Sequence, residues 1–129
     1  MPGLLEHARI LVVDDDPDVL DSIEAALESE GADVITSTDG NDAVAACLEE
    51  HPDLVVLDMM LPKRSGFLVL EKIKGKVDSP VVIMVTANEG HRHQEYAEAL
   101  GVDKYLIKPV PMQTLIDTAV KLLASRGEE

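Results

Sequence analysis

Residues 54–62, LVVLDMMLP, constrain the fold more than any other stretch of the chain. Leu54, Val55, Val56 and Leu57 have the length and branching of a strand buried on both faces, which belongs in a parallel sheet covered by helices. The run ends on Asp58. A carboxylate at that point is costly unless something pairs with it. In open α/β sheets ligands bind at the carboxyl ends of the strands, which puts Asp58 where a ligand is expected. A turn or helix-capping aspartate satisfies the same local pattern, so the other strand ends decide what Asp58 is for.

Read in order, short apolar runs alternate with amphipathic segments. Residues 10–13, ILVV, are followed by Asp14, Asp15, Asp16 and Pro17. That spells a strand, a turn, and a helix with Asp16 as N-cap and Pro17 at its first position. Val19, Leu20, Ile23, Ala26 and Leu27 line one face of this helix, and Gly31 stops it. A short strand at 34–36 and the turn Asp39-Gly40 lead to a second helix, whose apolar face is Ala43, Val44, Cys47 and Leu48. After the central strand come a polar loop (Lys63, Arg64, Ser65, Gly66) and a short helix with Phe67, Leu70 and Ile73. Residues 80–86, PVVIMVT, form a strand apolar on both faces and ending in Thr86, Ala87 and Asn88. A fourth helix over about 91–100 carries Tyr96, Ala97 and Leu100, and Gly101 ends it. A strand over 104–107 precedes Lys108-Pro109, and Pro111 opens a last helix with Leu115, Ile116, Ala119, Leu122 and Leu123 inward. Five strand–helix units with right-handed crossovers predict a five-stranded parallel sheet with helices on both faces. Residues 1–129 read as one domain with its core over about 9–124 and no output domain.

The charge is as unevenly placed as the hydrophobicity. Net charge is −14, and residues 10–62 hold fifteen Asp or Glu and no Lys or Arg. Such a surface repels nucleic acid, so direct DNA or RNA binding is not expected. No run approaches 18 apolar residues and the N-terminus lacks a signal-peptide pattern, so no membrane partner is expected. The single cysteine, Cys47, excludes an internal disulfide and falls at a core position of its helix. A soluble cytoplasmic protein is the expectation.

The polar residues of interest all follow strands: Asp14 and Asp15 the first, Asp58 the third, Thr86 the fourth, Lys108 the fifth. Carboxylates brought together there without a cation would raise one another's pKa and destabilise the fold. A hard divalent cation relieves this, and oxygen-only ligands favour Mg²⁺. Lys108 offers a mobile positive charge and Thr86 a hydroxyl donor, both suited to a phosphoryl oxygen. One carboxylate is left as a nucleophile, so the pattern points to phosphoryl transfer onto an aspartate.

On these residues the chain resembles the receiver domains of bacterial two-component response regulators. The resemblance covers about 9–124 and rests on Asp14-Asp15, on Asp58 with Pro62 and Gly66, on Thr86-Ala87, on Tyr105 and on Lys108-Pro109. It implies a flavodoxin-like (βα)5 fold with strand order 2-1-3-4-5. Asp58 would be the phospho-acceptor, charged by a sensor histidine kinase or a histidine phosphotransfer domain. Asp15 would bind Mg²⁺ directly, Asp14 mainly through water, and the backbone carbonyl of Met60 would be a further ligand. Lys108 would pair with Asp58 at rest and with the phosphoryl group afterwards, across a cis Lys108-Pro109 bond. Thr86 would hydrogen-bond the phosphoryl group and, in moving, let Tyr105 turn inward, while the small Ala87 leaves the phosphate room. The face of the fourth helix, fifth strand and fifth helix (Glu95, Tyr96, Lys104, Tyr105, Lys121, Arg126) would signal to an output domain or protein, or form a self-dimer. Such a chain is a signalling switch rather than an enzyme, catalysing only its own phosphotransfer and dephosphorylation.

Some positions depart from the family pattern. Ser65 and Lys104 replace frequent aspartates, the latter at odds with the charge-paired dimer of many DNA-binding regulators. Met60 and Asn88 occupy positions that modulate dephosphorylation in the family. His91 and His93 are expected as solvated side chains. Three other readings fit less well. A non-phosphorylated pseudo-receiver acting only as a docking module would lack an acceptor, a metal ligand or the lysine, and none is missing. An aspartyl phosphohydrolase of the haloacid-dehalogenase kind would want an aspartate where Met60 stands. A flavodoxin-like electron carrier would want a Ser/Thr/Gly-rich loop where Asp14-Asp15-Asp16 stands.

Overall fold

The computed structural model describes residues 3–75, 78–87 and 91–127. Five strands alternate with five helices: β1 (Arg9–Val13), α1 (Pro17–Glu28), β2 (Asp33–Ser37), α2 (Gly40–Glu50), β3 (Leu54–Asp58), α3 (Gly66–Lys74), β4 (Val81–Thr86), α4 (His91–Ala99), β5 (Lys104–Ile107) and α5 (Met112–Gly127). All neighbouring strands pair in parallel, and their order is β2-β1-β3-β4-β5. This is the five-stranded parallel sheet the sequence pattern predicts, in the flavodoxin-like order that the family resemblance implies.

Successive side chains of a strand point to opposite faces, and the central strands are apolar on both. Ile10, Val12, Leu54, Val56, Ile83 and Val85 join Leu20, Ile23, Leu27, Leu115 and Ile116 on the α1/α5 side. Leu11, Val13, Val55, Leu57, Val82 and Met84 join Ala43, Val69, Leu70, Ile73, Ala97 and Tyr105 on the side of α2, α3 and α4. Each fully buried aliphatic side chain contributes about 1.5–3 kcal/mol, so the sheet is a stiff platform.

The helix starts follow local chemistry. Asp16 caps α1 by accepting from the Asp18 N–H (2.9 Å). Asp39 caps α2 by accepting from the Asp42 N–H (2.8 Å), and the Ser65 hydroxyl caps α3 through the Leu68 N–H (3.4 Å). Each takes up one of the N–H groups a helix start leaves unpaired.

Some expectations are corrected. Leu48 does not complete the inward face of α2; it is 45 % exposed, because α2 needs only Ala43 and Val44 against the sheet. Leu5, to which the sequence pattern gives no role, is 2 % exposed in the α1/α5-side core, its N–H donating to the Glu30 carbonyl (2.9 Å). His93 is half-buried rather than solvated, its ring stacked on Phe67 at 5.9 Å. Tyr96 is exposed and meets Phe67 edge-on at 5.0 Å.

Candidate functional site

Sheet register assembles the site. Val13 pairs with Leu57, so Asp14 falls beside Asp58. Asp58 pairs with Val85, leaving Thr86 one step beyond it. Thr86 pairs with Ile107, so Lys108 follows on the next strand over, its N–H donating to the Thr86 carbonyl (2.7 Å). Four strand ends therefore deliver Asp14, Asp15, Asp58, Thr86 and Lys108 to one edge of the sheet.

Asp14, Asp58 and Thr86 are buried, whereas Asp15 is exposed. Each of the three carboxylates offers an oxygen within 4.8 Å of the others'. Lys108 Nζ lies 2.9 Å from Asp14 Oδ2 and 3.6 Å from Asp58 Oδ2. The ammonium thus stands between both and hydrogen-bonds Asp14 rather than pairing first with Asp58. Asp14 also accepts from the Asp16 N–H (2.9 Å), and Asp58 Oδ1 accepts from the Met60 N–H (3.3 Å).

Electrostatics follow from that crowding. Burial pushes the Asp58 carboxyl above its ordinary value and the charges on Asp14 and Asp15 push the same way, against Lys108 and the Met60 N–H. For Lys108 burial acts to lower the pKa, but its bond to Asp14 and the charges of Asp58 and Asp14 outweigh it and raise the net value. Among the described residues three carboxylates converge here, two of them facing Lys108, and the ligand atoms the three offer are hard oxygens. That set suits an oxygen-loving divalent cation such as Mg²⁺.

The remaining expected residues lie around this centre. Met60 is 68 % exposed at its rim, Ala87 follows Thr86 and is exposed, and the Lys108–Pro109 bond is cis. Tyr105, one strand position before Leu106, is already packed in the α2/α3/α4-side core, where burial raises its phenol pKa. Asn88 lies outside the described residues, as does the His91 side chain. Arg126 is tied down far from the site, donating to the Asp53 carbonyl (2.7 Å).

One supporting residue gains a role that the sequence pattern did not supply. Gly66 donates to the Met59 carbonyl (2.8 Å), and a Cβ there would stand 2.4 Å from the Asp58 carbonyl oxygen and 2.6 Å from Met59 Cα. The glycine lets the start of α3 close against the backbone that carries Asp58. The signal was the last residue of the polar loop, one of those on which the family resemblance rests, but nothing in the sequence indicated its close approach to Asp58.

Comparison with known proteins agrees with this geometry. The family described as "Response regulator receiver domain" matches residues 10–120. A CheY-like response regulator receiver domain protein from Methanospirillum hungatei superposes with a TM-score of 0.91 at 30 % identity, over 95 % of this chain and 98 % of its own. The receiver domain of a LuxO repressor protein from Vibrio parahaemolyticus gives 0.85 at 27 %, over 95 % and 93 % of the two chains. The receiver domain of a sensor histidine kinase from Pseudomonas aeruginosa, solved with a magnesium ion coordinated in its active-site cleft, gives 0.83 at 28 %, over 92 % and 98 %.

Proposed function

This chain belongs to the response regulator receiver domain family, the signalling switches of two-component systems, and from that premise we propose that Asp58 is its phospho-acceptor. The donor would be the phosphohistidine of a sensor kinase or phosphotransfer domain. The observation that carries the reading is the convergence of Asp14, Asp15 and Asp58 within 4.8 Å under a single lysine shared by Asp14 and Asp58.

In the proposed reaction an Asp58 carboxylate oxygen forms a bond to phosphorus. The phosphorus–nitrogen bond breaks, and the departing imidazole nitrogen keeps the electron pair. Asp14, Asp15, Asp58 and the Met60 carbonyl would hold Mg²⁺, which supplies positive charge to the transferring phosphoryl oxygens. Burial keeps the Asp58 carboxylate poorly solvated and therefore more reactive toward phosphorus than a surface carboxylate. Lys108 offers its ammonium to the phosphoryl oxygens by leaving Asp14 or Asp58, and Thr86 offers its hydroxyl. Exposed Ala87 presents only a methyl at the entrance. A phosphoryl group adds about 1.5–2 negative charges and three acceptor oxygens, and that charge biases Thr86, Tyr105 and the α4-β5-α5 face toward a second arrangement. The partner reading the new state would be an output domain, another protein or a second copy. The domain reading of one receiver over 1–129 and a cytoplasmic location belong to the same proposal.

The test is intact mass after incubation with acetyl phosphate and Mg²⁺, beside Asp58→Asn and a chelated control. One phosphoryl adduct that needs Mg²⁺ and vanishes in the variant is expected. An adduct surviving in Asp58→Asn would reassign the acceptor. Absence of both an adduct and acetyl phosphate turnover would sink the phosphorylation reading.

A further inference from the structure

Of the four buried polar residues among those described, Asp14, Asp58 and Thr86 belong to the acidic site and Ser37 does not. Ser37 ends β2, paired with Val13, and its carbonyl accepts the N–H of Asp14 (3.2 Å). Its hydroxyl has a single proton to give, and two acceptors flank it: the Asp39 carbonyl at 3.1 Å and Asp42 Oδ2 at 2.9 Å. Sharing that proton draws residues 39–42 back onto the end of β2. Asp39 Oδ1 meanwhile accepts from the Asp42 N–H (2.8 Å), so three bonds fix the turn into α2.

The same turn grips the loop that follows β3. The Gly40 N–H donates to the Pro62 carbonyl (3.2 Å), Asp39 Oδ2 pairs with Lys63 Nζ (3.8 Å), and a Cβ on Gly40 would stand 2.1 Å from the Arg64 carbonyl oxygen. The loop needs such a grip. The Arg64 N–H donates back to the Pro62 carbonyl (2.7 Å) across Lys63, whose φ is 67°. A three-residue turn with a side-chain-bearing residue in the left-handed region is strained, and it persists only where its surroundings over-determine it. Between this turn and Asp58 lies Met60, whose N–H bonds Asp58 Oδ1 (3.3 Å). Asp14, Ser37, Gly40, Pro62 and Asp58 thus lie on one circuit of chain and hydrogen bonds that begins and ends at the acidic site. From this circuit we infer that Ser37 is a positioning residue: its hydroxyl sets the turn into α2, and through Gly40 that turn holds the loop whose Met60 carbonyl would face the metal. The inference rests on the Mg²⁺ site proposed above and adds to it a residue that is not itself a ligand. Groups that orient ligands from behind change metal affinity by about 10–100-fold, and Ser37, acting through the turn, belongs at the low end.

Two measurements on the full chain separate the link from the site it serves. In Mg²⁺-free protein, amide hydrogen exchange at Gly40, followed by NMR, should be about fivefold faster in Ser37→Ala than in wild type, the loss expected from one hydrogen bond. Calorimetric titration should then give a Mg²⁺ Kd about tenfold higher. Gly40→Ala, which pushes the same loop through its backbone, should weaken Mg²⁺ to a similar degree. The double variant should be no weaker than the weaker single one, because both changes act through one link. Leu5→Ala, near the amino end of β1 and off the circuit, lowers stability but should bind Mg²⁺ as wild type does. Unchanged exchange at Gly40 in Ser37→Ala would overturn the inference whatever the metal does. So would faster exchange with an unaltered Kd, additive losses in the double variant, or an equal loss of affinity in Leu5→Ala. Wild-type protein that binds no Mg²⁺ would instead overturn the metal site itself, and the exchange rates would still decide whether Ser37 holds the loop.

Discussion

Adding one methyl group at Gly66 is the most direct test of how tightly the proposed acceptor is held. A Cβ there stands 2.4 Å from the Asp58 carbonyl oxygen and 2.6 Å from Met59 Cα. Both are backbone atoms at the end of a fully buried strand, so neither can swing aside as a side chain would. Overpacking of this kind costs about 1–3 kcal/mol, while the lower entropy of the unfolded alanine chain returns about 0.4–1 kcal/mol. The net loss is about 0.5–2 kcal/mol. With an unfolding entropy of about 2.1 cal/mol/K per residue over 129 residues, Gly66→Ala should melt about 2–7 °C lower. Displacing the Asp58 backbone also moves its carboxylate, and a misplaced reacting group slows transfer steeply. Phosphorylation by acetyl phosphate should fall about tenfold or more, read by intact mass over time. Gly75→Ala is the control, because its Cβ would meet nothing closer than the Glu71 carbonyl at 3.2 Å; it should stay within about 0.5 kcal/mol of wild type. A Gly66→Ala protein as stable and as readily phosphorylated as wild type would refute the close-approach argument. One that melts lower yet is phosphorylated normally would uncouple the packing from the chemistry.

Four further outcomes are expected. Free Mg²⁺ at ten times its Kd should stabilise the wild type by about 1.4 kcal/mol, about 5 °C in calorimetry, and Asp15→Asn should lose most of that shift; equal shifts in both would count against the metal site. In Mg²⁺-free buffer Asp58→Asn should be more stable than wild type at pH 7. The folded Asp58 carboxyl is raised above its ordinary 3.8, so its ionisation opposes folding; that penalty is absent below 3.8 and grows as pH rises through the folded value. Urea melts at pH 3.5 and 7 should show the variant's advantage only at the higher pH. Leu5→Ala should cost about 2–4 kcal/mol by the same method, since it empties a core position; a loss near zero would mean the N-terminal turn merely rests on the domain. The Cys47 thiol, pushed by burial from 9.0 to about 11, should react with a thiol reagent at pH 8 about a hundredfold more slowly in folded than in unfolded protein, and equal rates would contradict its burial.

What the sequence made legible was whatever depends on one residue's neighbours along the chain. Aliphatic runs at 10–13, 54–57 and 81–85 gave strands, because only a doubly covered sheet can accept them. Asp16-Pro17 and Asp39-Gly40 marked helix starts, because a side-chain oxygen must meet free N–H groups there. Even the gathering of Asp14, Asp58, Thr86 and Lys108 was readable, since parallel strands bring all their carboxyl ends to one edge. Contacts set by the third dimension were not. Leu5 precedes the first strand without periodicity, and nothing local says that a turn folds it under α1. His93 looked solvated because α4 is polar, but Phe67 arrives from α3 to stack on it. The preference of Lys108 for Asp14 over Asp58 is a matter of tenths of an ångström between one half-buried ammonium and two buried carboxylates, and no spacing rule reaches that scale.

The contrast between site and surroundings bears on how a signal would leave the site. Thr86 ends a strand buried at every position, and Asp58 ends another; the groups proposed to react stand at the ends of fully buried strands. Among the described residues of α4, by contrast, only Ala97 is buried. The helix is otherwise held by the edge of β5 and by the Phe67–His93 and Phe67–Tyr96 ring contacts, which are worth about 0.5–1.5 kcal/mol each. Elements with few buried apolar contacts open at low free energy. A phosphoryl group on Asp58 brings charge-assisted hydrogen bonds individually stronger than those ring contacts. Within the proposed function, a pull on Thr86 would thus leave the sheet unmoved and be absorbed where resistance is least, in the seating of α4 against α3 and β5. On that reasoning Phe67→Ala, which removes both ring contacts and leaves the acidic site untouched, should raise amide hydrogen exchange in α4 of the unphosphorylated protein toward the level phosphorylation produces in the wild type. Unchanged exchange in α4 would mean that the rings do not set its position.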